Sequence, residues 1–209
     1  MRHNDIGSFK RRESRMDENK PLDIKKSILL LMDYQNGIVG SIPIADKIIN
    51  RMTLLLKQCR DKGLPVGYVR VALNKEEFKE VSANNNTFHQ LIENRFLDTA
   101  EDTQIDQRVK PQLKDIIVRK RRVGAFSTTD LDERLAERGI DTIILAGFST
   151  SGVVLSTIRD AADKDYRIYV LEDACADSDP EVHRLLINKI FPRQASVIKI
   201  ADLPGLLGS

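Results

Sequence analysis

From Ser27 onward, short apolar runs alternate with segments whose apolar residues recur at helical spacing. Such alternation is typical of repeated strand–helix–strand units, which build a parallel sheet covered by helices. The sequence therefore predicts one α/β domain of the doubly wound, Rossmann-like class, with about six parallel strands and helices on both faces. The predicted strands are Ile28–Met32, Val66–Val71, Ile116–Val118, Thr142–Ala146, Ile168–Leu171 and Ser196–Ile198.

Four helices are predicted between and after these strands. The first closes at Gly63, and the second begins at Thr129, whose hydroxyl is expected to cap the amide of Asp132. A third follows the strand ending at residue 146, and a fourth begins near Pro180, a residue favoured at the first helical position. Residues 74–112 lack clear periodicity and predict a lid or binding loop. The apolar stripe of the first helix is Ile44, Ile48, Met52, Leu55, Leu56 and Cys59.

The N-terminal segment differs from the rest of the chain. Residues 1–22 are polar and are expected to form a disordered tail before a domain of residues 23–209, and Met16 offers a second start site. The chain has 33 basic and 31 acidic residues, but residues 1–26 hold eight basic and five acidic ones, leaving 25 and 26 elsewhere. The body therefore lacks the basic face that nucleic-acid binding requires.

Membrane, redox and metal functions find little support in the sequence. The longest apolar run, Ile28–Met32, is too short to span a bilayer, and no signal peptide is visible, so a cytoplasmic protein without membrane contact is expected. Cys59 and Cys175 lack C-x-x-C spacing, and packing explains both. Neither a metal nor another cofactor is predicted, and His183 is expected on a helix surface. The other histidines are His3 and His89.

Polar residues at strand ends are the first candidates for a site, because ligands of parallel sheets bind beyond the carboxyl ends of the strands. Asp33 follows the first strand, Lys120 the third, and residues 147–152 connect the fourth to a helix. Asp33 can alternatively cap a turn, and Lys120 can belong to a solvated charge run. The amides of Gly152 and Val153 are expected to be unpaired donors that attract an anion.

Three blocks, at residues 29–36, 120–131 and 146–161, resemble the signature blocks of the isochorismatase-like hydrolases: LLLMDYQN; KRRVGAF followed by TDL; and AGFSTSGVV followed by RDA. In that family an Asp, a Lys and a Cys on a parallel α/β sheet cleave amides, imides and similar small molecules. The resemblance implies catalytic roles for Asp33 and Lys120, substrate binding by Phe148, Ser149 and Gly152, and a cis peptide at the bond from 148 to 149. It also implies a small-molecule substrate and a homo-oligomer.

This chain departs from the family at the nucleophile. Counting from either side of the third block, the family's Cys position falls on Val153, whose side chain cannot form an acyl-enzyme. The isochorismatases proper also lack that Cys and hydrolyse a vinyl ether with the Asp as proton donor, so the resemblance implies a non-cysteine hydrolase. Burial would raise the pKa of Asp33 and a nearby Lys120 would lower it, which leaves general acid and general base both open.

Two other functions fit parts of the sequence. Ser149 stands in a segment that approaches a nucleophile elbow, with Asp173 and His183 following in the order of a serine hydrolase, but the elbow's closing glycine is replaced by Ser151. The remaining alternative is a catalytically inactive member of the fold that binds or senses a small molecule.

Overall fold

The computed structural model describes residues 21–91 and 93–208. Six parallel strands form one sheet in the order β3-β2-β1-β4-β5-β6. The strand order reverses between β1 and β4, which is where doubly wound sheets place their ligands. The predicted sheet is thus confirmed. The strands are β1 Ser27–Met32, β2 Val66–Val71, β3 Ile116–Lys120, β4 Thr142–Phe148, β5 Arg167–Ala176 and β6 Ser196–Ile198.

Helices connect the strands, and none in the described part of the chain is long and apolar enough to span a bilayer. Two π-helical segments, Thr150–Val154 and Leu186–Ile190, extend α7 and α8 at one end. The α-helices are α1 Asn36–Val39, α2 Ala45–Asp61, α3 Lys75–Lys79, α4 Asn86–His89, α5 Glu93–Phe96, α6 Leu131–Glu137, α7 Leu155–Asp163, α8 Pro180–Leu185 and α9 Leu203–Leu206.

Both faces of the sheet are covered, because successive side chains of a strand point to opposite sides. On β1, Leu29 and Leu31 join a core cluster that includes the buried side of α2 and Leu203 of α9. Their neighbours Leu30 and Met32 join a second cluster with α6, α7 and the segment after α8. This arrangement explains why β1 reads as an uninterrupted apolar run.

Three strands run further than the sequence indicated. Lys120 and Phe148 are the last residues of β3 and β4, and β5 continues to Ala176. Strand β5 reaches this length through a bulge, because the β4 partners change from Leu145–Val170 to Gly147–Cys175. Bulges re-aim side chains near functional sites.

Several local predictions need correction. Helix α6 begins at Leu131, and the Thr129 hydroxyl donates to Ala125 O at 2.6 Å instead of capping Asp132. Ile44 precedes α2 and is 50% exposed, so it does not belong to the buried stripe. Leu22 was predicted in the polar tail, yet it is buried and its amide donates to Leu206 O at 2.7 Å. Residues 1–20 of the predicted tail lie outside the described residues.

Other local predictions are confirmed. Gly63 has φ of +79° just beyond α2, a left-handed conformation that glycine adopts without steric cost. Pro180 begins α8, and the Asp179 carboxylate caps it.

The segment that lacked periodicity contains three short helices, α3, α4 and α5. Phe88 of α4 is buried with Val71 and Leu73, at and just beyond the end of β2, and Val123 of the loop after β3 packs against this group. The Arg122 guanidinium lies 5.5 Å from the centre of the Phe88 ring. The segment therefore covers the carboxyl end of β2 beside the loop that follows β3.

Candidate active site

Asp33 and Lys120 lie together at the carboxyl edge of the sheet. Asp33 follows β1 and adopts φ of +59°, a left-handed conformation that Asp tolerates better than most residues. Its amide donates to Val69 O at 2.8 Å, which fixes the turn against β2. Lys120 ends β3, and its Nζ lies 2.8 Å from Asp33 Oδ2 and donates to Val123 O at 2.8 Å. The two side chains are only 6% and 3% exposed.

The second carboxylate oxygen of Asp33 is unused. Oδ1 is buried and has no hydrogen-bond partner within residues 21–91 and 93–208. Burial raises the pKa of the Asp33 carboxyl, and the Lys120 ammonium opposes this rise without cancelling it. An acidic oxygen without a partner and with a raised pKa can hold a proton and present it to a ligand. The balance between the two effects that the sequence left open therefore falls on the side of burial.

Gln35 fixes the chain just after Asp33. Its side-chain amide donates to Val71 O and Thr103 O, both at 2.8 Å, and accepts from the Val71 amide at 2.7 Å. The residue is almost fully buried. Its side chain therefore joins the end of β1 to the end of β2 on one side of Asp33. Sequence reasoning missed this role, although Gln35 stands within the first signature block.

Val153 lies in the π-helical segment after β4 and is 2% exposed. It belongs to the same apolar cluster as Met32, the residue before Asp33. Gly147 pairs with Met32, and a Cβ on Gly147 would approach Val154 Cγ2 to 2.9 Å. The lack of a side chain at this glycine thus allows the segment to pack closely against the end of β1.

The loop after β3 meets the same segment. A Cβ built on Gly152 would lie 3.9 Å from Val123 Cγ1, and the Val123 carbonyl accepts the hydrogen bond from Lys120. The Ala125 amide donates to Thr157 Oγ1 of α7 at 3.2 Å. The segments that follow β1, β3 and β4 therefore converge, as the three sequence blocks predicted.

The Gly152 amide, one of the two helix-start amides that the sequence suggested as open donors, already has a partner. The Gly152 amide donates to Ser149 Oγ at 3.1 Å, and the Ser151 amide donates to Asp177 Oδ2 at 2.7 Å. The expectation of an unpaired donor at Gly152 is therefore wrong, because an N-cap serine satisfies it. The Asp177 carboxylate also places a negative charge where an anion was expected.

The three residues of this segment that were predicted to bind substrate differ in their burial. The peptide bond between Phe148 and Ser149 is cis, at the position that the resemblance implied. The Phe148 side chain, however, packs on the opposite face of the sheet, with its ring centre 4.5 Å from that of Tyr34. Its predicted contact with substrate stays a prediction. Ser149 and Gly152 lie at the partly exposed start of the segment.

The groups of the serine-hydrolase alternative do not form a triad. His183 Nδ1 lies 2.7 Å from Thr150 Oγ1, and Asp173 pairs with Arg51 at 2.8 Å. The hydrogen bond found for Ser149 Oγ within the described residues comes from the Gly152 amide. Ser149 thus lacks the contact with His183 that the alternative needs. His183 is half-buried, which corrects its placement on the surface.

Neither cysteine has the properties of a nucleophile. Burial raises the pKa of both Cys59 and Cys175 to about 12, so each stays a protonated thiol at neutral pH. Both side chains lie in the apolar clusters. Across residues 21–91 and 93–208, no group of three or more His, Cys, Asp or Glu side chains is placed to hold a metal ion.

Comparison with known proteins identifies the family. Residues 27–202 match the family model described as "Isochorismatase domain". The isochorismatase family protein YecD of Escherichia coli O157:H7 is 35% identical over 192 residues, which cover 89% of this chain and 98% of YecD. N-carbamoylsarcosine amidase of an Arthrobacter species is 28% identical over 149 residues, 71% of this chain and 56% of the amidase.

Solved structures agree with the sequence matches. An isochorismatase family protein from Burkholderia thailandensis superposes with a TM-score of 0.78 at 26% identity, covering 91% of this chain and 100% of that one. The match thus extends over the sheet and the three segments that meet at Asp33. The chain belongs to the isochorismatase family.

Proposed function

We propose that this protein hydrolyses a small molecule without a thiol nucleophile, using Asp33 to transfer the proton. The observation that carries the proposal is the buried Asp33 carboxyl, with one oxygen held by Lys120 and the other without a partner in the described residues. Val153 stands at the family's nucleophile position, so a covalent acyl-enzyme cannot form there.

The raised pKa of Asp33 favours the role of general acid. Protonated Asp33 donates from Oδ1 to the substrate, and water adds to the cation that results. The Asp33 carboxylate left behind is stabilised by the Lys120 ammonium at 2.8 Å. A proton released from the added water then returns to Asp33. The resulting hemiketal breaks its bond to the ether oxygen, which leaves as an alcohol with the proton of the hemiketal hydroxyl and gives a ketone, so each cycle consumes one water and restores the acid. An acid-labile ether, such as a vinyl ether, suits these reaction steps better than an amide, whose cleavage in this family uses a cysteine nucleophile.

A second candidate, a binding or regulatory protein without turnover, has one observation in its favour. Ser149 and Asp177 already occupy the amides of Gly152 and Ser151, which reduces the donors available to stabilise a developing oxyanion. This candidate predicts ligand affinity that survives Asp33→Asn, with no turnover in either protein.

The test is turnover on a panel that contains isochorismate and N-carbamoylsarcosine, compared among wild type, Asp33→Asn and Asp130→Asn. The proposal expects hydrolysis by wild type and a loss of about 100-fold or more in Asp33→Asn, because general acid catalysis contributes that much. Asp130, an exposed partner of Arg134, is the control and should tolerate the change. Full activity in Asp33→Asn would refute the proposal.

Ser149→Ala separates the remaining enzyme class. A serine hydrolase would lose its activity in this variant. Under the proposal the variant removes the acceptor for the Gly152 amide and alters the pocket wall, so turnover falls but persists.

A further inference from the structure

The segment between β4 and α7 is held from outside the site by two contacts. Thr150 Oγ1 lies 2.7 Å from His183 Nδ1 on α8, and the Ser151 amide donates to Asp177 Oδ2 at 2.7 Å. Asp177 lies in the connection between β5 and α8, and His183 lies on α8 itself. The position of Gly152 and Val153 thus depends on a part of the chain that does not itself carry Asp33 or Lys120.

The contact between Thr150 and His183 has an asymmetric environment. Thr150 is fully buried, so its hydroxyl needs a partner inside the protein. His183 is half-buried and lines a cleft of about 320 Å³ between α2 and α8, with Ile187 and Asn188 beside it. The imidazole therefore meets the buried hydroxyl with one nitrogen and the cleft with its remaining edge.

We infer that His183 is a positioning residue, which fixes the segment from Ser149 to Val153 through the Thr150 hydroxyl and so sets its alignment with Asp33. The inference rests on the proposed function, since it concerns the geometry of the same site. It assigns a role in the reaction to a residue that the sequence placed on an ordinary helix surface.

Charged groups around His183 determine its protonation. Burial lowers its pKa, whereas Asp177 and Glu172 oppose this effect. Arg51 and Asp173 line the cleft from the opposite side, and Arg184 lines it from α8 itself. A neutral imidazole can accept the Thr150 proton at Nδ1, but a protonated one can only donate there. In the tautomer that accepts at Nδ1, protonation reverses the hydrogen bond, and this reversal is expected to shift the segment.

The kinetic test uses two matched pairs. Thr150→Val removes the hydroxyl and Thr150→Ser keeps it, whereas His183→Ala removes the ring and His183→Asn places an amide near the Nδ1 position. We expect Thr150→Val and His183→Ala to lower kcat by about tenfold with KM changed less than about twofold, and the conservative variants to recover most of the loss. The double variant should lose no more than either single one. Asn188→Ala, in the same cleft, is the control.

Equal losses in conservative and disruptive variants would overturn the inference.

An NMR arm tests the positioning without turnover, so its failure is distinct from failure of the proposed function. The amide shifts of Ser151, Gly152 and Val153 should follow the titration of His183 in wild type and Asn188→Ala. In Thr150→Val the same amide shifts should no longer follow the titration of His183. Amide shifts that ignore the titration in wild type, or that follow it equally in Thr150→Val, would overturn the inference whether or not a substrate has been found.

Discussion

The Lys120 ammonium lies 2.8 Å from one carboxylate oxygen of Asp33, and both side chains are buried. Burial of an ion pair costs desolvation energy that the pairing must offset, so removal of one partner strongly affects the other. Under the proposed function, the pair therefore affects both proton transfer and stability. The strand order brings the two residues together, because β2 alone separates β1 from β3.

Lys120→Met should make stability depend on pH in a defined direction. Loss of the ammonium raises the pKa of Asp33 further above its ordinary value, because the burial that raises it is then unopposed. A raised pKa gives stability that is present below the unfolded pKa and lost as pH rises through the folded value. Wild type and variant lose stability together until the pH reaches the raised pKa of Asp33 in wild type. The deficit of the variant should thus grow as the pH rises above that value, reaching about 3 kcal/mol.

The measurement is urea unfolding of both proteins between pH 4 and pH 8. Lys79→Met, which removes an exposed partner of Glu76, is the control and should show no such trend. A deficit in Lys120→Met that stays constant over this range would show that Asp33 does not respond to Lys120.

Val153→Cys should restore a reactive thiol. A thiolate at a helix start is stabilised, and each unit by which its pKa falls gives about tenfold more thiolate. We expect iodoacetamide to modify this variant at least about tenfold faster than Val154→Cys, whose position is a fully buried neighbour in the same cluster. Intact-mass kinetics would measure both rates. Equal rates would show that position 153 does not face the site.

Asp177→Asn should improve the binding of an anionic substrate. The asparagine keeps an acceptor for the Ser151 amide but removes a negative charge from the start of the segment. Such a charge near a helix start changes binding by about two- to fivefold, so KM for isochorismate should fall by that factor. Glu181→Gln, an exposed change on α8, should leave KM unaltered. An unchanged or higher KM in Asp177→Asn would contradict the electrostatic role.

The sequence predicted the sheet and the meeting of Asp33 with Lys120 because both depend on strong local signals. Buried parallel strands appear in the sequence as apolar runs. A polar residue that directly follows such a run is expected at the carboxyl edge of the sheet. The three blocks then connected those positions to one family. Strand ends were less certain, since the bulge that carries β5 to Ala176 depends on its pairing with β4 and not on the local sequence.

The contacts of Thr150 and Ser151 that the sequence missed join distant parts of the chain. Thr150 meets His183 across 33 positions, and the Ser151 amide meets Asp177 across 26. No periodicity links such residues, so His183 resembled an ordinary surface histidine. The Gly152 amide was mistaken for an open donor because a local serine cap and an available amide look alike in sequence.

Hydrolysis that depends on Asp33 and on no thiol can be measured in a cysteine-free protein. Turnover of one substrate should be compared among wild type, the double variant Cys59→Ala with Cys175→Ala, and that double variant carrying Asp33→Asn. We predict that the double variant keeps kcat/KM within about threefold of wild type, because both thiols only pack in the core. Asp33→Asn should then lower kcat/KM by about 100-fold or more. Loss of turnover in a folded cysteine-free protein would show that a thiol takes part, and turnover that survives Asp33→Asn would show that Asp33 does not transfer the proton.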